Sequence, residues 1–306
     1  MRLLESLRRP GKPIIAAALA LLCIIWGSTW AVIQIGLRGI PPLAGVAMRF
    51  AIAGMLLLVL AYAMAVRLGR RRMEWWLWLV NGTLAFSVSY GVVYWSEQWL
   101  PSGLTSVLFA TYPLFVAIMA HFALPGESLT TPEVVGSLLG FGGVAVIFSE
   151  DLAALGGTAV AMAAAVMMIS PFVSALSSVA IKRWGEGIHP FSLTAIPMLM
   201  AAAIMGGLSY GLERGREITW DAVSLSALLY LALFGSAVTF TIYFWLLSHM
   251  PAKRLALIAY VIPIEAVMIG ILRGEPMTLK IMAGSTLVVF GVALAVSKRG
   301  RSVTSS

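Results

Sequence analysis

The sequence predicts an all-α membrane protein, with ten transmembrane helices arranged as two inverted five-helix repeats around a central cavity. Three observations lead there. Of the 306 residues, 60% are hydrophobic and only 11% charged, too few charges to cover a soluble surface, and the mean hydropathy is +0.94. The apolar residues fall into runs of about 20, the length at which a helix rising 1.5 Å per residue crosses the hydrocarbon core. The second half of the chain repeats the first at a nearly constant spacing. A soluble globular enzyme is excluded.

Apolar runs bounded by Pro, Gly or charge place the spans at 14–37, 42–66, 75–99, 101–124, 132–149, 156–181, 190–212, 222–248, 251–272 and 277–297. The first follows Arg8, Arg9 and Lys12, which resemble the start of a secretory signal. Its apolar part is too long for one and has no small-residue cleavage pattern, so it stays as a helix. Trp75, Trp76, Trp78 and Trp99 flank the third span and are assigned to the membrane interface. The fourth and ninth contain Pro113 and Pro263, which free the carbonyls of Phe109 and Ala259 and predict kinks at matched places, either hinges or static bends with no gating role. Gly136 and Gly140 in the fifth, and Gly284 and Gly291 in the tenth, predict close helix packing within one chain. The chain divides into a cytoplasmic segment 1–13, repeats 14–149 and 156–297, and a cytoplasmic tail 298–306.

Basic residues set the orientation. With the N-terminus inside, fifteen Lys and Arg lie on inner segments and five on outer loops, while Arg49 lies within a span. Both termini are therefore expected in the cytoplasm. The same placement explains the net charge of +8 as topology, not nucleic-acid binding.

The repeat is carried by rare residues. Pro101 and Pro113 match Pro251 and Pro263 at an offset of 150. Gly126, Glu127, Thr130, Gly136, Gly143, Val144 and Ala145 match Gly274, Glu275, Thr278, Gly284, Gly291, Val292 and Ala293 at 148, as Pro42 does Pro190. An odd number of spans per repeat inverts the second copy, an architecture that opens a midplane site to one face and then the other. The Gly-Glu pairs at 126–127 and 274–275 precede helices and are assigned to capping.

Two ionisable residues lie well inside spans, where burial of charge is costly without a partner. Arg49 and Glu265 are each about 10 Å below the outer face at 1.5 Å per residue. They are read as a structural ion pair, as separate charges solvated by the cavity mouth, or as a coupling site, with Glu265 taking a substrate ammonium or a proton and Arg49 positioning a carboxylate or holding the glutamate. Trp26, Tyr90, Tyr94, Tyr112, Tyr243 and Tyr260 lie away from helix ends and are expected to line the cavity, with packing or lipid contact as the other reading. Ser28, Thr29 and Gln34, with Ser87, Ser89 and Ser96, point the first and third helices toward it, although each hydroxyl can bond its own backbone one turn back.

These stretches are similar to a known family. "WGSTWAVIQIGL", "PPLAGVAMRF", "EQWLPSGLTSVLFATYPLFVAIMAHF", "GESLTTPEVVGSLLGFGGVAVIF" and "RGEPMTLKIMAGSTLVVFGVAL" resemble the EamA family of the drug/metabolite transporter superfamily over essentially the whole chain. The second half departs at Lys253 and Arg254, which replace the small residues after Pro101. The resemblance implies a secondary transporter in a bacterial inner membrane, moving small organic metabolites, with export of amino acids or related amphipathic solutes as the leading expectation. A passive facilitator of the same solutes is the alternative. An intramembrane enzyme would need a nucleophile or metal set at one depth, yet Cys23 is the only cysteine and His121, His189 and His249 fall near helix ends. No metal, cofactor or phosphate-binding loop is expected. The expected partners are a small-molecule substrate, the lipid bilayer and a coupling proton, with the chain a monomer or weak homodimer.

Overall fold

The computed structural model describes residues 11–148, 157–274 and 278–297, and no strand occurs among them. The helical segments are α1 (Lys12–Gly36), α2 (Pro42–Ala63), α3 (Arg72–Ser96), α4 (Ser102–Ala123), α5 (Thr131–Phe148), α6 (Thr158–Trp184), α7 (Pro190–Leu212), α8 (Ala222–His249), α9 (252–272) and α10 (Leu279–Ser297). The segments 1–10, 149–156, 275–277 and 298–306, and with them the expected tails and Glu275, lie outside the described residues, as do the side chains of Tyr260 and Pro263.

Seven of these segments, α1 to α4 and α6 to α8, are long and apolar enough to cross a membrane. Their outward faces carry Ile24, Met55, Val59 and Phe122, all more than half exposed. Water would penalise such a surface; lipid does not.

Hydrogen bonds gather the connections into two groups. At one end Thr219 N–H donates to the Gly39 carbonyl, Arg216 reaches Gln98, and the Glu213 carboxylate accepts from Leu43 and Ala44 N–H at 2.9 and 3.0 Å. Those amides are the orphan donors at the start of α2. At the other end Arg71 donates to the Glu186 carbonyl, Lys182 to the carbonyls of Leu247 and Met250, and Lys253 pairs with Glu133 at 2.7 Å. Glu127 caps as expected, but the helix it caps is α9, through Ala252 and Lys253 N–H; Glu133 serves α5 by accepting from Thr130 N–H. Asp221 caps α8, and the hydrogen bonds from Ser224 N–H and its hydroxyl hold its carboxyl below the usual aspartate range.

The largest interhelical contacts join α5 to α10 and α2 to α7. In the first, a Cβ on Gly143 would lie 2.6 Å from the Gly284 carbonyl oxygen, and one on Gly291 would lie 2.6 Å from that of Gly136. The helices therefore run antiparallel with backbones in contact. Because 136 matches 284 and 143 matches 291, the two contacts are exchanged by the repeat, so this pair has approximate twofold symmetry.

Several other helices are interrupted. Residues Asn81–Ser89 in α3 and Leu233–Val238 in α8 adopt wider π-helical turns, and an offset of 150 superimposes 83–88 on 233–238. The bends expected near Pro113 and Pro263 form just upstream of each: α4 breaks at 110–111 and α9 tightens to a 3₁₀ turn at Leu257–Tyr260. In α6 the ladder breaks at Met168, three residues before Pro171. Pro197 lies inside α7 without breaking it. The carbonyl it frees, that of Leu193, accepts from Asn81 Nδ2 at 2.7 Å.

Candidate functional site

The interrupted helices and α1 surround a central cavity of about 90 Å³, room for several water molecules. α1 contributes Trp26, Thr29, Trp30 and Ile33; α3 contributes Asn81, Ala85, Ser89, Tyr90 and Val93; α4 contributes Phe109 and Tyr112. From the second half come Ser174 and Ser178 of α6, Phe240, Tyr243 and Phe244 of α8, and Ile258, Ala259 and Ile262 of α9. The repeat offsets pair wall with wall: Trp26 with Ser174, Trp30 with Ser178, Tyr90 with Phe240, Phe109 with Ala259 and Tyr112 with Ile262. The chamber is thus built by equivalent positions of both repeats, with different side chains on its two sides.

Rings dominate the wall and fix one another. Trp26 meets Phe240 edge-on at 5.4 Å, Trp30 packs on Phe109 at 5.5 Å, and Phe109 stacks on Tyr112 at 5.6 Å. Polar groups form compact sets. The hydroxyls of Tyr112, Tyr243 and Ser178 form a closed hydrogen-bonded triangle, with 2.5 Å between the two phenols and 2.8 and 3.0 Å from them to Ser178 Oγ. Ser174 donates to Ser89 Oγ, which is also 2.7 Å from Ser170 Oγ. Asn81 ties α3 to α7 through Leu193 and to α6 by accepting from Ser177 at 2.8 Å. The indole Nε1 atoms of Trp26 and Trp30 are buried without a hydrogen-bond acceptor among the described residues.

Arg49 lies behind Tyr90. It is buried, and its Nε donates to Ser236 Oγ at 2.6 Å, Nη2 to the Gly235 carbonyl at 2.8 Å and Nη1 to Tyr94 Oη at 3.3 Å. Its guanidinium carbon is 4.8 Å from the Tyr90 ring centre. Glycine at 235 eases this approach, since a Cβ there would fit tightly, 3.0 Å from the Thr29 methyl and 3.1 Å from Arg49 Nη2.

Glu265 is elsewhere, in the seam between α1 and α9, where its carboxylate occupies the space that a Cβ on Gly27 would fill. Its Oε2 is buried without a hydrogen-bond partner among the described residues. The ion pair considered from sequence does not form, since Arg49 bonds neutral acceptors instead. The physical reason is α1 itself. Gly27 faces Glu265 and Thr29 faces Gly235 beside Arg49; two residues apart means about 200° around a helix, so α1 stands between the charges.

Of the residues singled out from sequence, Trp26, Thr29, Ser89, Tyr90, Tyr112 and Tyr243 lie on the wall. Ser28, Gln34 and Tyr94 do not. Ser28 bonds the Ile25 carbonyl and Tyr230 Oη, Gln34 holds the Leu100 carbonyl at 2.7 Å, and Tyr94 is turned to Arg49. Ser87 and Ser96 bond backbone carbonyls, and Tyr260 falls on a side chain outside the described residues. Trp75, Trp76 and Trp99 are exposed as expected of interfacial rings, whereas Trp78 is tied to Ser192 Oγ. Sequence reasoning missed Trp30, Asn81, Phe109, Ser174, Ser178, Phe240 and Phe244. A signal for four of them existed: applying the repeat offsets to Trp26 and Tyr90 gives Ser174 and Phe240, and applying them to Trp30 and Tyr94 gives Ser178 and Phe244.

Comparison with known proteins adds the lineage. Residues 13–149 and 161–297 each match the EamA-like transporter family. The uncharacterized transporter YvbV of Bacillus subtilis is 29% identical over 284 residues, covering 92% of each chain. The uncharacterized inner membrane transporter YedA of Escherichia coli K12 is 31% identical over 293 residues, covering 90% of this chain and 89% of the relative. A crystal structure of a protein 18% identical in sequence shares the fold, with a TM-score of 0.71 over 94% of this chain and 98% of that one.

Proposed function

The chain belongs to the EamA-like transporter family and is a multi-pass membrane protein, and from that premise we propose that it is a secondary transporter of small amphipathic metabolites working by alternating access. In this reading ten helices cross a bacterial inner membrane, both termini are cytoplasmic, and 14–149 and 156–297 are inverted repeats. The two groups of hydrogen-bonded connections support the alternation of crossings, and the exchanged glycine contacts of α5 and α10 support the inversion. Those glycines are consumed within the chain, which favours a monomer.

The observation that carries the proposal is the chamber lined by repeat-related residues. Alternating access requires two halves able to exchange shapes around one site. The matched interruptions supply the places to bend: the breaks above Pro113 and Pro263 act as hinges, and the π-helical turns of α3 and α8 lie beside the wall. Trp26, Tyr90, Tyr112 and Tyr243 contact the solute. Glu265, whose Oε2 has no hydrogen-bond partner among the described residues in the α1–α9 seam, carries the coupling proton, and export of amino acids or related solutes is the assigned direction.

The test is flux of labelled amino acids and related acids in proteoliposomes. Uptake into inside-out vesicles should rise with an imposed proton gradient, fall at least about tenfold in Trp26→Ala that still folds, and lose its pH dependence in Glu265→Gln. Flux indifferent to the gradient would leave a facilitator, and absence of any exchange across the panel would overturn the reading.

A further inference from the structure

We propose that a basic cavity between the α2–α3 and α6–α7 connections is a site for the phosphate headgroup of an anionic phospholipid. It lies at one end of the molecule, away from the chamber, and does not depend on which solute is transported.

The cavity has a volume of about 680 Å³, within the range of about 300 to 1,000 Å³ usual for small-molecule sites. Arg67, Arg70 and Arg71 line it, and Glu74 is the one carboxylate among its wall residues. Glu74 is buried and already committed, accepting from Arg70 N–H at 3.0 Å and from the Ser192 hydroxyl. His189 Nδ1 accepts from Phe191 N–H at 3.2 Å, as only a neutral ring can. Among the described residues no carboxylate lies within 4.0 Å of any of the three guanidinium groups. Arg71 Nη1 donates to the Glu186 carbonyl at 2.8 Å, while the side chains of Arg67 and Arg70 have no hydrogen-bond partner among the described residues.

The other end of the α2–α7 pair shows how the repeat fills the same place. An offset of 148 matches Gly187 with Gly39, Ala65 with Glu213 and Arg71 with Thr219. At the end holding Glu213 the loops close on one another. Thr219 N–H donates to the Gly39 carbonyl at 2.8 Å, and the Glu213 carboxylate supplies the anion there. At the end holding Ala65 the chain offers no such carboxylate, arginine stands in place of threonine, and the loops border the cavity. Membrane orientation accounts for the side on which basic residues gather. It does not account for three of them converging on a cavity that lacks the anion built into its counterpart.

Guanidinium groups without counter-ions call for an anion rich in acceptors, and a phosphodiester matches the planar fork of arginine. Its attachment to lipid follows from the surroundings. Met64 on the wall and Tyr62 before it are more than half exposed, and the exposed Trp75 and Trp76 stand in the first turn of α3. Aromatic rings of this kind gather at headgroup level. Further along α2, the exposed Met55, Val59 and Leu60 give acyl chains an apolar surface. In the orientation set by the basic residues the cavity meets the cytoplasmic leaflet, where anionic lipids are drawn to basic pockets between helices.

Native mass spectrometry of the full chain in detergent gives its affinity for phosphatidylglycerol and phosphatidylcholine carrying the same acyl chains. Phosphatidylglycerol should bind at least about tenfold more tightly, since each arginine near an anionic lipid contributes several-fold. Arg67→Gln and Arg70→Gln together should remove most of that preference. Arg38→Gln with Arg214→Gln removes the same charge at the other end and should leave it intact. Glycerol phosphate in large excess should not displace the lipid. Should the Arg67 and Arg70 variant not fold, the wild-type preference and the competition still decide. Equal affinity for the two lipids overturns the inference, and so does an equal loss in both double variants. Displacement by glycerol phosphate would make the cavity a site for soluble phosphates and overturn it as well.

Discussion

The α5–α10 pair and the chamber are built by opposite uses of the helix. α5 and α10 run uninterrupted and press backbone on backbone through Gly143 and Gly291. α2 and α7 are likewise continuous and packed along one another. The interruptions fall in α3, α4, α6, α8 and α9, all of which line the chamber. A continuous ladder satisfies its own amides and carbonyls and resists bending, whereas a broken one has groups to lend and an axis that can tilt. In the proposed alternating access the peripheral pairs would serve as struts and the central helices as the wall that moves. α1 is the exception, a continuous helix on the wall whose repeat mate α6 is broken near Pro171.

The strongest way to break this comparison is to spoil a strut. Gly143→Ala places a methyl against the Gly284 carbonyl, and we expect a loss of about 3 kcal/mol, read as a lowered unfolding temperature in detergent. Gly291→Ala should match it, since it strikes the equivalent contact. Gly142→Ala, whose Cβ meets nothing within 4 Å, should be neutral or slightly stabilising. Equal costs at 142 and 143 would mean that the pair is not glycine-packed.

On the chamber side, Asn81 clasps α3 to α6 and α7. Asn81→Ala strands the Leu193 carbonyl freed by Pro197 and should cost about 2 kcal/mol, with the loss reduced when Pro197→Ala restores the ladder. Additive costs in the double variant would show that the proline and the asparagine act separately. Lys253 joins α9, a wall helix, to α5, a strut, through Glu133. Lys253→Ala should cost about 1 kcal/mol or less, because a single ion pair near the surface contributes little.

The smallest effect concerns Asp221 at the start of α8. Its folded carboxyl ionises below the ordinary aspartate range, so it stabilises the cap at neutral pH, and that contribution fades as pH falls through the folded value. Asp221→Asn keeps an acceptor but should remove this acid sensitivity, visible as a flatter dependence of unfolding temperature on pH between about 5 and 2.

The fold was legible because membrane insertion writes itself into composition. Apolar length marks the spans, and glycine and proline survive as the marks of duplication. The bends near Pro113 and Pro263 were legible for the same reason, since a missing amide has a fixed consequence. The π-helical turns were not: that of α8 presents the Gly235 carbonyl and the Ser236 hydroxyl to Arg49, a partner distant in sequence that no local pattern announces. Arg49 and Glu265 were found by chemistry, with pairing and separation both left open. Depth along a span can be counted from sequence, but the azimuth that puts α1 between them cannot. Ser28 and Gln34 illustrate the related limit that a polar residue on a membrane helix serves a neighbouring carbonyl or hydroxyl as readily as a cavity.

The central claim is that one chamber serves both faces of the membrane. The direct measurement is thiol accessibility of a chamber-wall position, Ala85→Cys, in a Cys23→Ser background, using a membrane-impermeant reagent on right-side-out and inside-out vesicles. Labelling from both sides is the predicted result. Labelling from one side alone, or from neither, would contradict it.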